Sequence, residues 1–508
     1  VSELQHIVGQ SLMLSFAGPR ATAELLDALE ASHACGVILF ADNIESPAQL
    51  ARLTATLRRH AAASGLPPLL IGVDQEGGTV SRLPAPFVTV PSAMAQAAAG
   101  EGAARECARI TALQLRRYGV NLAFAPVLDV NNNPANPVIG TRSFGAGPEL
   151  VARCGLEALA GYRQAGVIAT AKHFPGHGDT NVDSHRGLPV LALPRARLDA
   201  VELLPFRAAI DAGVPAIMSA HIVFRALDDR PATLSRRVLA ELLRHELGFD
   251  GVVFTDALDM RAIADAYGPA EAAVLAKAAG ADVVLPLGTL AEQLAVARAL
   301  AEAAAGDRLP LACFADTARR LDRVRDAYRL GAPEPVVEEH SQFFAALHQQ
   351  ALDLARRSVT VARGRELLPL SSTTRLAVVD CLQTRFSPAD DLGAGARVLQ
   401  ELLRDAFPSA SYLALRPEPN DADVAQAMLF ARRAEATLVI TRNASMVHWQ
   451  ERVLRAFAAQ PLALLHAAVR GPYDADLAPH AQATLLTYGD PAVSIEALVE
   501  TISGRRTN

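Results

Sequence analysis

Eight short apolar runs, separated by alanine-rich stretches of helical periodicity, constrain this 508-residue chain more than any other feature. The runs are 12–18 (LMLSFAG), 35–40 (CGVILF), 68–74 (PLLIGVD), 121–128 (NLAFAPVL), 167–173 (VIATAKH), 215–222 (PAIMSAHI), 251–256 (GVVFTD) and 281–287 (ADVVLPL). Most are apolar throughout instead of alternating with polar residues, the pattern of strands covered on both faces. The stretches between them, for example 101–118, 148–165, 196–212, 233–247 and 268–279, read as helices. Strand–helix alternation over about 330 residues predicts a (β/α)8 TIM-like barrel. A doubly wound open sheet is the alternative with the same alternation.

The placement of polar residues favours the barrel. Asp74, Lys172, His173, His221 and Asp256 each fall at the C-terminal end of a predicted strand. Barrel active sites are built on that face. The chain then changes character. Residues 331–340, GAPEPVVEEH, are rich in proline and acid and read as a linker, followed by a helical stretch at 341–357. Further strand-like runs follow at 375–380, 411–415, 437–441, 462–466 and 483–487, again with helical segments between them. The expected organisation is a barrel over 1–330, a linker and helix over 331–358, and a smaller α/β sandwich domain over 359–508. Trp449, the single tryptophan, lies in that second domain and is expected to pack.

Composition narrows the class of partner. A net charge of −6, with 51% hydrophobic and 20% charged residues, describes a globular protein without the basic surface that nucleic acid demands. No apolar run reaches the 18 or so residues that span a bilayer. The first residues, Val-Ser-Glu-Leu-Gln-His, lack the basic and apolar regions of a signal peptide, so the expected location is the cytoplasm, although a removed leader is compatible with a chain that does not begin with Met. Cys35, Cys107, Cys154, Cys313 and Cys381 are odd in number and never form a C-x-x-C pair, so neither a disulfide framework nor a zinc–thiolate site is expected.

The densest chemistry lies in Lys172-His173-Phe174-Pro175-Gly176-His177-Gly178-Asp179-Thr180-Asn181-Val182-Asp183-Ser184-His185. Phe-Pro-Gly-His-Gly ends the preceding strand, leaving ionisable groups on a loop at the strand's end. Two chemistries compete. His173, His177, Asp179, Asp183 and His185 are all possible metal ligands. Alternatively Asp183 and His185, two residues apart, share one side of an extended loop, where the carboxylate orients the imidazole for acid–base catalysis. Lys172 adds a positive charge and no H-E-x-x-H helix frames the ligands, which weighs against the metal. A purely structural polar loop is the third reading.

Three further segments stand out. Asp74-Gln75-Glu76-Gly77-Gly78 ends a strand, and its glycines allow a tight turn that faces Asp74 into a pocket. Asn136–Gly145 is a long loop carrying one arginine, Arg142, which by itself reads as a solvent-exposed side chain and whose guanidinium also suits sugar hydroxyls or a carboxylate. Asp256, in Thr255-Asp256-Ala257-Leu258-Asp259, would point into the barrel mouth, where a carboxylate serves as a nucleophile, a metal ligand or a helix cap, and Asp259 is expected as the cap or a first-turn residue of the following helix.

Taken together, K-H-F-P-G-H-G-D-T-x-x-D-S-H, with D-Q-E-G-G upstream and V-F-T-D downstream, resembles bacterial β-N-acetylglucosaminidases of glycoside hydrolase family 3. The resemblance covers roughly residues 5–330 and is weak beyond 360. It implies a retaining exo-glycosidase without metal or organic cofactor. Asp256 matches the nucleophile, His185 the general acid/base and Asp183 its dyad partner. Asp74, Arg82, Arg142, Lys172 and His173 match positions that hold the terminal sugar; His221 lines the same face, and His177 supports the loop. The implied substrate is terminal GlcNAc on peptidoglycan fragments or chitooligosaccharides, with phosphorolysis on the same scaffold as the near alternative and a metal-dependent hydrolase or a non-catalytic sugar-binding protein as distant ones. Thr79, where relatives commonly carry Arg, and Ala257, where an aspartate often follows the nucleophile, depart from the pattern. An aromatic content of 5%, with the one tryptophan outside the barrel, implies a short pocket that holds one sugar by hydrogen bonds.

Overall fold

Each of the eight apolar runs supplies one strand of a parallel sheet: β1 (Met13–Leu14), β2 (Gly36–Leu39), β3 (Leu70–Val73), β4 (Leu122–Ala123), β5 (Ile168–Phe174), β6 (Ala216–Ser219), β7 (Val252–Ala257) and β8 (Val283–Leu285). The computed structural model describes residues 3–332, 341–382, 387, 390 and 395–506. The strands pair in sequence order, and a parallel bridge between Leu12 and Val284 joins the last to the first. That closure makes the sheet a (β/α)8 barrel and removes the open-sheet alternative.

The uniform apolarity of the runs follows from the closure. Met13, Ile38, Leu70, Leu122, Ile168, Met218, Phe254 and Val283 point inward and fill the barrel, where Phe124 meets Phe254 edge-on at 5.5 Å. Their neighbours Leu14, Val37, Ile71, Ala123, Ala169, Ile217, Val253 and Val284 point outward against the helices. Both faces exclude water, so neither tolerates the polar half of an alternating pattern. Full burial of each large side chain contributes about 2–3 kcal/mol. The expected helices form over Ala103–Arg117, Pro148–Gln164 and Pro269–Ala279. The stretch predicted as one helix at 196–212 is broken into Arg195–Ala200 and Leu204–Asp211, the second carrying Pro205 in its first turn, where no backbone N–H is needed.

The second sheet holds β9 (Thr360–Arg363), β10 (Leu376–Cys381), β11 (Ser411–Leu415), β12 (Ala436–Thr441), β13 (Leu464–Ala468) and β14 (Ala483–Leu486), in the order β9-β14-β13-β12-β10-β11. β9 has no counterpart among the predicted runs. It is a half-exposed edge strand, antiparallel to β14, and Arg363 interrupts its apolar character. Helices Gly395–Ala406 and Ala492–Ser503 cover one face, and Asp421–Ala431 and His448–Ala458 cover the other. Trp449 is buried in this second layer, as expected.

Residues 333–340 of the anticipated linker lie outside the described residues. Helix Ser341–Ser358 packs Leu347, Ala351 and Ala355 between the barrel's Cys107 and Ile110 and the second domain's Val493 and Ala497. Arg356 adds a two-pronged pair to Glu500. The second domain is thereby held against the barrel, with Tyr473 Oη 3.3 Å from Asn131 Nδ2 near the barrel mouth. Among the described residues no helix is long and apolar enough to cross a membrane.

Candidate active site

The C-terminal ends of the barrel strands surround a cavity of about 570 Å³. Asp74, Arg82, Arg142, Lys172, His173, His185 and Asp256 all line it, together with Glu76, His177, Asp259 and the apolar Phe40, Met260 and Leu287. Seven of the nine residues expected to act in catalysis or sugar binding therefore converge on one space. Asp183 stands directly behind His185, and His221 lies behind Asp256.

One wall of the cavity is charged: Lys172 comes from β5, Arg142 from the 3-10 turn Gly140–Arg142, and Asp74 and Glu76 from the segment after β3. Lys172 Nζ lies 2.6 Å from Asp74 Oδ1 and 2.7 Å from Glu76 Oε1. Arg142 closes a bidentate pair on Glu76, with both N···O distances at 2.8 Å. Burial alone would neutralise Glu76, but Arg142 and Lys172 outweigh it and hold its carboxyl well below the usual range. Burial likewise disfavours the charge on Lys172, and Asp74 and Glu76 reverse that effect. Glu76, Arg142 and Lys172 thus keep one another ionised, in a fixed fork geometry that presents donors and acceptors to a polyhydroxylated ligand.

Asp129, immediately after the run that supplies β4, anchors the next layer. Its side chain is fully buried. Oδ1 accepts the backbone N–H of His173 at 3.1 Å and that of His177 at 2.7 Å. Oδ2 is 2.7 Å from His173 Nδ1. A carboxylate at Nδ1 assigns the proton there and turns Nε2 of His173 toward the cavity. His177 is a clasp: Nδ1 is 2.9 Å from Thr180 Oγ1, and Nε2 is 3.0 Å from Ser184 Oγ. Burial, with the charge of His173 second, lowers its pKa to about 4, so it is neutral at pH 7. Asn136 Nδ2 donates to the carbonyls of His177 and Gly178, both at 2.9 Å, tying the Arg142-bearing loop to the histidine loop.

The loop delivers the dyad. Asp183 Oδ1 accepts both the backbone N–H and Nδ1 of His185, at 2.9 and 2.7 Å. Nδ1 is thus committed to the carboxylate, which leaves Nε2 for the cavity. Burial pushes the Asp183 carboxyl up, but the bonds from His185 and from Ser387 bring it down to about 2. It is a carboxylate throughout the neutral range.

β7 carries Asp256. Burial opposes its charge, and His221, His173, His185 and the Ala257 N–H together hold its carboxyl below the ordinary value. Ala257 N donates to Asp256 Oδ1 at 2.8 Å. His221 is spent on the scaffold: Nε2 donates to the Ala257 carbonyl at 2.9 Å, and Nδ1 lies 2.9 Å from Thr233 Oγ1. It therefore fixes the peptide after Asp256 and is absent from the cavity lining. Ala257 serves this arrangement through its backbone, so the missing side chain at that departure costs neither bond. Asp259 lines the cavity, and the following helix Arg261–Tyr267 has Met260 as its N-cap with no side-chain cap bond, contrary to the capping role expected of Asp259.

The alternative metal reading finds no cluster: among the described residues no three His, Cys, Asp or Glu side chains converge as ligands. Glu76, Asp129 and Ser387 were not singled out as site residues. Glu76 sits inside D-Q-E-G-G, and Asp129 follows an apolar run just as Asp74 does, so both carried a readable signal. Ser387 carried none.

Comparison with known proteins agrees with this geometry. Residues 3–324 match the model of the glycosyl hydrolase family 3 N terminal domain. A β-hexosaminidase A of Pseudoalteromonas piscicida is 42% identical over 269 residues, covering 49% of this chain and 45% of that protein. The chain thus spans less than half the length of that relative. A β-hexosaminidase of Alkalilimnicola ehrlichii is 40% identical over 281 residues, covering 54% of this chain and 79% of its own. The solved structure of a glycoside hydrolase family 3 β-N-acetylglucosaminidase from Paenibacillus sp. is 37% identical, covers 100% of this chain and 98% of that one, and superposes with a TM-score of 0.93.

Proposed function

The chain belongs to glycosyl hydrolase family 3; from that premise we propose that it is a glycoside hydrolase that removes terminal, non-reducing β-linked N-acetylglucosamine with retention of configuration. The observation that carries this reading is the pairing of a cavity-lining imidazole, His185, with a carboxylate at its Nδ1, in the same cavity as a second carboxylate, Asp256.

In the proposed cycle Asp74, Arg82, Arg142, Lys172 and His173 hold the sugar hydroxyls. Asp256 attacks the anomeric carbon while His185 Nε2–H protonates the departing glycosidic oxygen, giving a glycosyl ester and a free alcohol. His185, now neutral, takes a proton from water as the water oxygen attacks the same carbon, and the ester breaks to release GlcNAc and the Asp256 carboxylate. Asp183 keeps Nδ1 protonated throughout. Retaining glycosidases usually supply two carboxyl groups, one on each side of the bond. Here an imidazole stands for one of them, which leaves less negative charge to repel a phosphate acceptor.

We assign catalysis to the barrel over 1–330, connection to 331–358 and support of the site to 359–508. Peptidoglycan fragments or short chitooligosaccharides fit a cavity of this size with little aromatic lining. All five cysteines are free thiols, which accords with our placing of the enzyme in the reducing cytoplasm. The test is a product assay on aryl β-GlcNAc, aryl β-glucose and a peptidoglycan disaccharide, with and without phosphate. Free GlcNAc is expected, with Asp256→Asn nearly inactive. Unchanged turnover in that variant would falsify the assignment, and GlcNAc-1-phosphate with a phosphate-dependent rate would replace hydrolysis by phosphorolysis.

A further inference from the structure

We propose that Ser387 is a positioning residue for the acid/base dyad, so that the second domain completes a catalytic apparatus otherwise carried by the barrel. The inference rests on the dyad reading above. Asp183 uses its two oxygens for different partners. Oδ1 takes both bonds from His185, and Oδ2 accepts the Ser387 hydroxyl at 3.0 Å. The donor comes from 204 residues along the chain and from the other domain. Both residues are buried, Asp183 at 4% and Ser387 at 2% exposure.

Two donors on opposite oxygens remove the carboxylate's freedom to rotate. Turning it to loosen the bond to His185 breaks the bond to Ser387, so the plane of the imidazole and the direction of Nε2 are set by both domains together. A donor to a carboxylate is among the stronger hydrogen bonds because one partner carries full charge.

Ser387 is itself anchored deep in the second domain. Its backbone N–H donates to Asp390 Oδ2 at 3.4 Å, and Asp390 N donates back to the Ser387 carbonyl at 3.0 Å. Asp390 meets Arg470 Nη1 at 3.4 Å. Arg470 Nε lies 3.0 Å from Asp490 Oδ1, and Asp490 Oδ2 lies 3.2 Å from Arg442 Nε. Arg442 ends on Asp380, within β10. Charges alternate along this buried chain, each carboxylate facing a guanidinium, which is the condition under which buried ions hold a fixed geometry. It runs from β10 of the second sheet to the back of the dyad, and Asp390 also borders the barrel-mouth cavity.

The test separates proton delivery from general stability by varying the leaving group. Phenyl β-GlcNAc needs protonation of a poor leaving group in the first chemical step, whereas dinitrophenyl β-GlcNAc does not. Ser387→Ala is expected to lower kcat/KM about tenfold on the phenyl glycoside, the size of losing one hydrogen bond to a charged group, and less than about twofold on the dinitrophenyl glycoside. The isosteric pair Ser387→Thr and Ser387→Val repeats the comparison at constant shape: Thr should restore the phenyl activity and Val should not. Equal losses on both glycosides, no loss on either, or identical Thr and Val variants would overturn the role of Ser387. A wild-type enzyme silent on both glycosides is a different result and overturns the glycosidase reading itself.

Discussion

Asp129 grips His173 twice, through Nδ1 at 2.7 Å and through the backbone N–H at 3.1 Å. Ring and main chain are therefore fixed by one buried carboxylate, and the same carboxylate holds the N–H of His177 at 2.7 Å. A single side chain just past the run that supplies β4 thus sets both a cavity-lining histidine and the start of the loop that carries the Asp183–His185 pair.

Replacing Asp129 with Asn keeps the shape but substitutes an amide donor for one acceptor and deletes the charge. Asp129→Asn is expected to lower kcat/KM about 10²-fold, the scale of an ångström-sized misplacement of binding and catalytic groups. Steady-state kinetics on an aryl β-GlcNAc checks this. Activity within threefold of wild type would show that His173 finds its orientation without Asp129.

Glu76 balances two buried cations, Arg142 at 2.8 Å and Lys172 at 2.7 Å. Glu76→Gln leaves both with less compensation, and breaking such a pair typically costs about 3–5 kcal/mol. The expected outcome is a lower urea midpoint together with a raised KM. A variant of unchanged midpoint would mean that Asp74 alone neutralises this wall.

His177 predicts a pH dependence of stability. Burial depresses its folded-state pKa to about 4, whereas an unfolded histidine titrates near 6.5. Between these values the unfolded chain binds the extra proton, so stability falls as pH drops from about 6.5 to about 4 and levels off below. By pH 5 the loss from this one group is about 2 kcal/mol. Urea denaturation at pH 7.5 and pH 5 should show that increment in wild type and not in His177→Gln. Parallel pH slopes in the two proteins would remove His177 as the source.

Much of the fold was legible because a closed barrel buries both faces of every strand. Apolar runs such as 35–40 and 251–256 are a direct imprint of that double burial. β9 was missed because an edge strand at the protein surface needs no such run, and Arg363 is tolerated there. The split of the 196–212 helix escaped notice because helical periodicity continues across the break.

The site was legible to the extent that chemistry is local. Lys172, His173, Asp183 and His185 lie within fourteen residues, and Asp74 and Asp256 close strand runs of recognisable pattern. Local spacing also captured the Asp183–His185 bond, since residues two apart on a loop reach one another without help from the rest of the chain. It misassigned Asp259, whose position just ahead of a helix looks like a cap until the turn geometry is known.

By itself, then, the amino-acid sequence determined the barrel, the family and the side chains we propose for the chemistry, because each depends on burial pattern or on residues close in the chain. Tertiary structure alone decided the partners. His221 turns from the cavity to the Ala257 carbonyl, Asp129 and Glu76 become the hubs that set ring orientation and charge, and Ser387 reaches Asp183 across 204 residues. Hydrogen bonds act over about 3 Å whatever the separation along the chain, so which groups meet is settled by how strands close and domains pack, and no periodicity or spacing records it.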